Sequence, residues 1–342
     1  MKAAVIEDVK KFKITDVKEP TPDNEKVIIN VIKTGICGSD IHYWDAGEPK
    51  GLIMGHEFTG KVSNPGNRYD LKIGDRVTAL PISPCGHCEA CETGNPQYCA
   101  ETWTHAVGLS LDNPGGLTST IAVRSDMVIK LPDNVTDEEG AMVEPTAGGL
   151  HAVHLADIRV GDKVLVVGGG IIGLVSAMFA KLEGAEYVAV SETNPARGQK
   201  SVKLGVADEW FDAKDPNFIN NIMTKTQNGF DIVIDCSGNT KAVESELMSV
   251  KAGGTIVLAG VSQKPIEFAS VIAVMKEITI KGSIAYTKEE FKKCISLISN
   301  KKIDVMKFVD DIVPLTDTQK AYERLTSGTD DAVKIMVDPN QH

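Results

Sequence analysis

The sequence predicts an α/β protein in which a small β-barrel domain carries an inserted, doubly wound parallel sheet. Three observations support this. Residues 1–130 are mostly short β-branched runs punctuated by glycine and proline, the pattern of a small antiparallel barrel. Between residues 163 and 283 apolar strands alternate with helical patterns, which calls for a parallel sheet. The closing stretch, VPLTDTQKAYERLTSG followed by VKIMVD, reads as a helix and a strand that rejoin the first domain. The expected division is 1–150 with 287–342 for the barrel and 151–286 for the insert, with the chemistry in the cleft between them.

The first runs, KAAVIE and KFKITDVKEP, are strands joined by a charged turn, and KVIINVIKTGI is a third strand ending near Gly35. Cys37 follows at once, so its thiol is aimed from a stiff strand end. GHEFTGKVS opens the next strand with His56 and Glu57 at its entry. A thiolate, an imidazole and a carboxylate are three ligand types that bind zinc well. Ser39, His42 and Tyr43 lie between them and can carry protons, which points to a catalytic metal centre. RVTAL is a further strand.

Residues 81–100 hold Cys85-x2-Cys88-x2-Cys91-x7-Cys99. Four thiolates at such short spacing complete a tetrahedron with no open position, so a structural zinc is expected. An iron–sulfur cluster competes, but the Cys-Pro signature of bacterial ferredoxins is missing. Clustering four of the seven cysteines in one window argues for metal over disulfides. Strands return in GGLTSTIAVRSDMVIKLP. DNVTDEEGAMVEP is then a capped short helix leading to Glu144, a carboxylate either buried with a partner or set at a helix entrance and a candidate to bind or support the metal. His151 and His154 fall on the next helix as packing or surface residues.

KVLVV is a fully apolar strand. It runs into Gly168-Gly169-Gly170-Ile171-Ile172-Gly173, and a helix and a second strand ending at Glu192 follow. Gly168, Gly170 and Gly173 match G-x-G-x-x-G in the strand–turn–helix setting the motif requires, with Ile172 in the turn. The turn admits a pyrophosphate onto the helix N-terminus. Glu192 is placed to accept from both ribose hydroxyls and to repel a 2′-phosphate, so NAD is expected before NADP. Arg197 nearby keeps NADP as the second choice. EWFDA, FDIVIDCSG, GGTIVLAG and ITIKGSIAY continue the sheet, with Cys236 and Cys294 as small buried residues.

A net charge of −11 repels phosphate backbones and excludes nucleic acid as an expected partner. No apolar run approaches the roughly 20 residues that span a bilayer. The charged, alternating N-terminus does not read as a signal peptide, so a cytoplasmic location without membrane partners is expected.

Taken together, these residues resemble the zinc-containing medium-chain dehydrogenases, in particular the sorbitol, threonine and 2,3-butanediol dehydrogenase branch. The resemblance rests on Gly35-Ile36-Cys37-Gly38-Ser39-Asp40-Ile41-His42-Tyr43-Trp44, on Gly55-His56-Glu57-x-x-Gly60, on the four-cysteine lobe, on Val143-Glu144-Pro145 and on the glycine fingerprint, in the family's order over nearly the whole chain. It implies a GroES-like catalytic barrel with a Rossmann insert. It also implies a catalytic zinc on Cys37, His56 and either Glu57 or Glu144, and a structural zinc on the four cysteines. A proton path would lead from Ser39 through the nicotinamide ribose to His42, and the assembly would be a homotetramer or, failing that, a dimer. The expected reaction passes a hydride from a secondary alcohol, diol or polyol to NAD. A threonine or sugar-phosphate polyol substrate and a silent NAD-binding protein are the alternatives; a zinc-independent reductase would need no such ligands. Two departures bear on substrate. The segment between Cys37 and His56 is short for this branch, and Ala285 stands before Tyr286 where sorbitol dehydrogenases usually carry arginine.

Overall fold

The computed structural model describes residues 1–262 and 264–341, so Gln263 and the last residue of the expected 287–342 segment lie outside the described residues. Packing divides the chain into two units. One comprises Met1–Ala147, Tyr286–Ser327 and Lys334–His342; the other comprises Gly148–Ala285 and Gly328–Val333.

The first unit begins with an antiparallel hairpin, β1 (Lys2–Asp8) and β2 (Lys11–Asp16). β3 (Lys26–Gly35) is its central strand and pairs antiparallel with both β4 (Glu57–Asn64) and β6 (Thr120–Arg124). β5 (Arg76–Ala79) and β7 (Val128–Lys130) extend the sheet beyond β4. The β-branched side chains of β3 explain its place: Val27, Ile29 and Val31 share one buried face, and Ile28 is buried on the other.

In the second unit β8 (Lys163–Val167), β9 (Tyr187–Glu192), β10 (Glu209–Asp212), β11 (Phe230–Asp235), β12 (Val250–Leu258) and β13 (Thr279–Gly282) form one parallel sheet in the order β10-β9-β8-β11-β12-β13. The order reverses between β8 and β11, the switch point where such sheets take dinucleotides. Leu165, Val233 and Phe230 belong to its buried core with Phe218 and Leu247 from the helices. The glycine turn lies at the end of β8 and opens the helix Ile171–Leu182. A side chain on Gly173 would strike the Gly168 carbonyl, so the closing glycine is required by close packing of turn on helix. The last strand of the sequence reading, ITIKGSIAY, is shorter here and ends at Gly282.

The chain returns to the first unit with the capped helix Lys288–Ser299, β14 (Asp311–Pro314), the helix Thr318–Thr326 and β15 (Ile335–Asp338), which pairs with β3. Residues 328–333 pack with the second unit: the Asn194 amide donates to Asp330 O at 2.9 Å. No helix among the described residues is long and apolar enough to cross a membrane.

Candidate active site

Gly35 ends β3, Cys37 follows, and a helix runs from Gly38 to Ala46. That helix was not read from the sequence, although its signal was present. Asp40 sits three residues beyond Cys37, and its Oδ2 accepts from the Cys37 N–H at 3.1 Å, satisfying an otherwise orphaned donor at the helix start. The same carboxylate, wholly buried, places Oδ1 3.2 Å from His56 Nδ1. Asp40 therefore locks the thiol's backbone and the imidazole ring together, leaving the far ring nitrogen to act as ligand.

His56 and Glu57 enter β4, and both are buried. One ligand atom from each of Cys37, His56 and Glu57 lies within 4.8 Å of the others. Glu144 does not join that group. It stands in the first turn of the helix Val143–Ala156 and accepts from the Tyr286 hydroxyl at 2.8 Å. Glu57 is held from behind: Lys334 Nζ donates to its Oε2 at 2.5 Å and to Ile36 O at 2.8 Å, with both charged side chains wholly buried. Oε1 of Glu57 is buried with no hydrogen-bond partner among the described residues. Gly35 is explained by the same packing, because any side chain there would occupy the position of Glu57 Oε2.

The electrostatics follow from burial. Burial alone would push His56 down, but Asp40 and then Cys37 outweigh it and hold the imidazole well above its usual range. A cation needs the neutral ring, so binding one here must release a proton. Burial pushes the Glu144 carboxyl up to about 7, with His56 opposing and Glu57 reinforcing the shift.

The residues fit a metal ion. The donor set is one sulfur, one imidazole nitrogen and one carboxylate oxygen, and Glu57 keeps one buried oxygen without a hydrogen-bond partner among the described residues. Ser39 Oγ lies 3.3 Å from Cys37 Sγ. His42 is exposed one turn further along the same helix face. Trp44 is a core residue, its ring 5.7 Å from that of Tyr322.

The second sulfur cluster has a different character. Cys85, Cys88, Cys91 and Cys99 place all four sulfurs within 4.8 Å of one another, with Cys88–Cys91 at 3.6 Å and Cys85–Cys91 at 4.0 Å. Zinc–sulfur bonds of about 2.3 Å imply tetrahedron edges of about 3.8 Å, so the spacing fits. Backbone N–H groups of Cys85 and Glu101 donate to Cys99 Sγ and hold that thiol down to about 6.

In the second unit Gly168 and Gly170 lie in the turn, with Gly170 at the helix cap, whereas Ile172, expected in the turn, and Gly173 lie in the first turn of the helix Ile171–Leu182. Glu192 is folded back onto that turn. Its Oε2 accepts from Gly169 N at 2.7 Å, and its Oε1 accepts from Thr193 N at 2.6 Å and Asn194 N at 2.8 Å. Arg197 follows on the helix Pro195–Lys203.

Two family models match in tandem: an alcohol dehydrogenase GroES-like domain over residues 23–133 and a zinc-binding dehydrogenase domain over residues 172–300. Sorbitol dehydrogenase of Bacillus subtilis (strain 168) is 32% identical, covering 100% of this chain and 98% of that protein. The chain belongs to the zinc-binding alcohol dehydrogenase family. Among solved structures, 2R,3R-butanediol dehydrogenase from Bacillus subtilis superposes with a TM-score of 0.87 at 31% identity over 99% of both chains. A zinc-binding dehydrogenase from Sinorhizobium meliloti 1021, solved bound to NADP, superposes at 0.88 with 27% identity over 99% of both. As a zinc-binding dehydrogenase this chain is an oxidoreductase of the alcohol and polyol type that uses a nicotinamide cofactor.

Proposed function

We propose that the Cys37–His56–Glu57 centre oxidises a secondary hydroxyl of a neutral diol or polyol with NAD, and reduces the corresponding ketone in reverse. The observation that carries this reading is the convergence of three unlike ligand atoms, from Cys37, His56 and Glu57, within 4.8 Å of one another, with one oxygen of Glu57 buried and unpartnered among the described residues. Cys37, His56 and Glu57 would hold a zinc ion, which would supply Lewis acidity to the substrate hydroxyl. Asp40 fixes the His56 ring, and Lys334 fixes Glu57. Ser39 can both accept and donate a proton, and it shares a helix face with exposed His42, a route for the proton toward water. Glu144, bonded to Tyr286, is the second carboxylate of the site and takes part through water or by exchange with Glu57. The four-cysteine lobe holds a second, structural zinc.

Charge favours a neutral substrate. Cys37, Asp40, Glu57 and Glu144 surround the centre with acidic groups, and its buried cation, Lys334, is committed to Glu57. Ala285 in place of an arginine removes a further polyol hydroxyl contact and leans toward small diols. NAD over NADP is supported by the Glu192 carboxylate, which already occupies the N–H groups of Gly169, Thr193 and Asn194 that a 2′-phosphate would need. Assembly as a dimer or tetramer is supported by β13, whose outer edge is unpaired among the described residues, with Ile280 partly exposed on it and Val274 and Met275 exposed at 72% and 78% nearby.

The test is a panel of 2,3-diols, pentitols, hexitols, threonine and a sugar phosphate, assayed with NAD and NADP by absorbance of the reduced cofactor. A neutral diol or polyol with NAD is expected to exceed the phosphate and threonine by at least roughly tenfold in kcat/KM, about 1.4 kcal/mol. Preference for the phosphate, or turnover of none, overturns the reading.

A further inference from the structure

Lys334 lies at the head of β15, and the register of that strand places it. Met336 and Val337 pair with Gly35 and Thr34, and Ile36 N donates to Ile335 O at 3.1 Å. The lysine side chain is thereby delivered beside Ile36 and Glu57. Its ammonium is wholly buried, donating to Ile36 O at 2.8 Å and Glu57 Oε2 at 2.5 Å. A buried ammonium is retained only where it is paired, and removing one partner of such a pair leaves an uncompensated charge. The pair is also asymmetric. One carboxylate oxygen is consumed by Lys334, while the other, Oε1, is buried and unpartnered among the described residues, and Glu57 is one of the Cys37–His56–Glu57 group.

We propose that Lys334 is a positioning residue with two duties. It holds Glu57 so that only Oε1 is offered to a metal ion, and it is the counter-ion of Glu57 whenever the ion is away. The proposal rests on the zinc reading of this centre. Without Lys334, Glu57 has both oxygens to offer an ion and loses its hydrogen-bonded counter-ion. The metal then becomes the counter-ion, and folding comes to depend on it.

The experiment compares wild type, Lys334→Met and Lys334→Arg. Metal content is followed by elemental analysis through chelator stripping and reloading, melting is measured in each state, and the visible spectrum is recorded with cobalt(II) in the centre. Reloading is expected to raise the melting temperature of Lys334→Met by at least about 5 °C more than that of wild type. Its cobalt bands should shift in position and intensity, and Lys334→Arg should restore both readouts in large part. The proposal is overturned if Lys334→Met shows the wild-type cobalt spectrum and the wild-type gain on reloading. Should Lys334→Met not fold in either state, Glu57→Gln/Lys334→Met carries the test. Removing both charges should recover the fold, and a double variant that also fails overturns the proposal. Wild type with only one metal equivalent, lost on removing the four cysteines, would sink the zinc reading itself. Two equivalents with an indifferent Lys334→Met would sink the lysine proposal alone.

Discussion

The two sulfur-bearing clusters of the first unit differ in what surrounds their ligand atoms. In the four-cysteine lobe, sulfurs meet sulfurs at 3.6–4.0 Å, and backbone N–H groups cap Cys91 and Cys99. Four like donors close the shell. Around Cys37 the donors are unlike, and Glu57 Oε1 is buried without a hydrogen-bond partner among the described residues. One cluster is satisfied and ties a loop together; the other is left one partner short by design of its neighbours. The donor set and its unmet acceptors, more than the number of cysteines, separate a structural centre from a reactive one.

The strongest way to break that contrast is at Cys37. Cys37→Ser should lower turnover roughly a thousandfold or more, because several kcal/mol of charge stabilisation depend on the ion. NAD binding, followed by calorimetry, should be nearly unchanged; a variant retaining full alcohol oxidation would refute the assignment. Cys91→Ser should act oppositely, costing more than about 4 kcal/mol of stability in denaturant melts while the folded fraction keeps near-normal KM. Asp40→Asn keeps the shape but removes the charge behind His56. Metal affinity, read by chelator competition, is expected to fall about 10–100-fold. At the glycine turn, Glu192→Ser should cost roughly tenfold in kcat/KM for NAD and narrow the preference over NADP, in line with the loss of charged hydrogen bonds; an unchanged cofactor ratio would remove Glu192 from specificity.

The smallest effect sharpens the meaning of an unmet acceptor. Glu246 is also buried with both oxygens unpartnered among the described residues, but no metal-binding group forms around it. Burial, then Asp235, pushes its carboxyl up to about 8. The native state therefore keeps a proton that the unfolded chain releases above about pH 4.5, so stability falls as pH rises from there to about 8 and the loss is complete above it. Glu246→Gln should flatten that decline and raise the melting temperature at pH 8 by a few degrees. Parallel wild-type and variant melting curves across this range would show Glu246 ionised throughout.

Much of this was readable locally. The cysteine spacing, the strand before the glycine run and the acid at the end of β9 all act within one turn or one strand, so their chemistry follows from sequence distance. Asp40 was readable too, as an acid three residues after a helix cap, but the cap was hidden because Cys37 is not an ordinary capping residue. Lys334 was not readable. Its partner is 277 residues away, and the only sign was a single charge at the head of an apolar strand. Whether Glu57 or Glu144 stands with Cys37 and His56 was open for the same reason. The hydrogen-bond partners of the two carboxylates, Tyr286 for Glu144 and Lys334 for Glu57, lie 142 and 277 residues away in the sequence.

That separation sets a timetable. A ribosome makes Cys37, His56 and Glu57 first, then the whole nucleotide-binding sheet, and residue 334 only after it. Until then Glu57 has no ammonium beside it, so the nascent barrel cannot close over its own acid. A polypeptide cut short before β15 should therefore be left with an unsealed core as well as a dead enzyme, and be open to proteolysis.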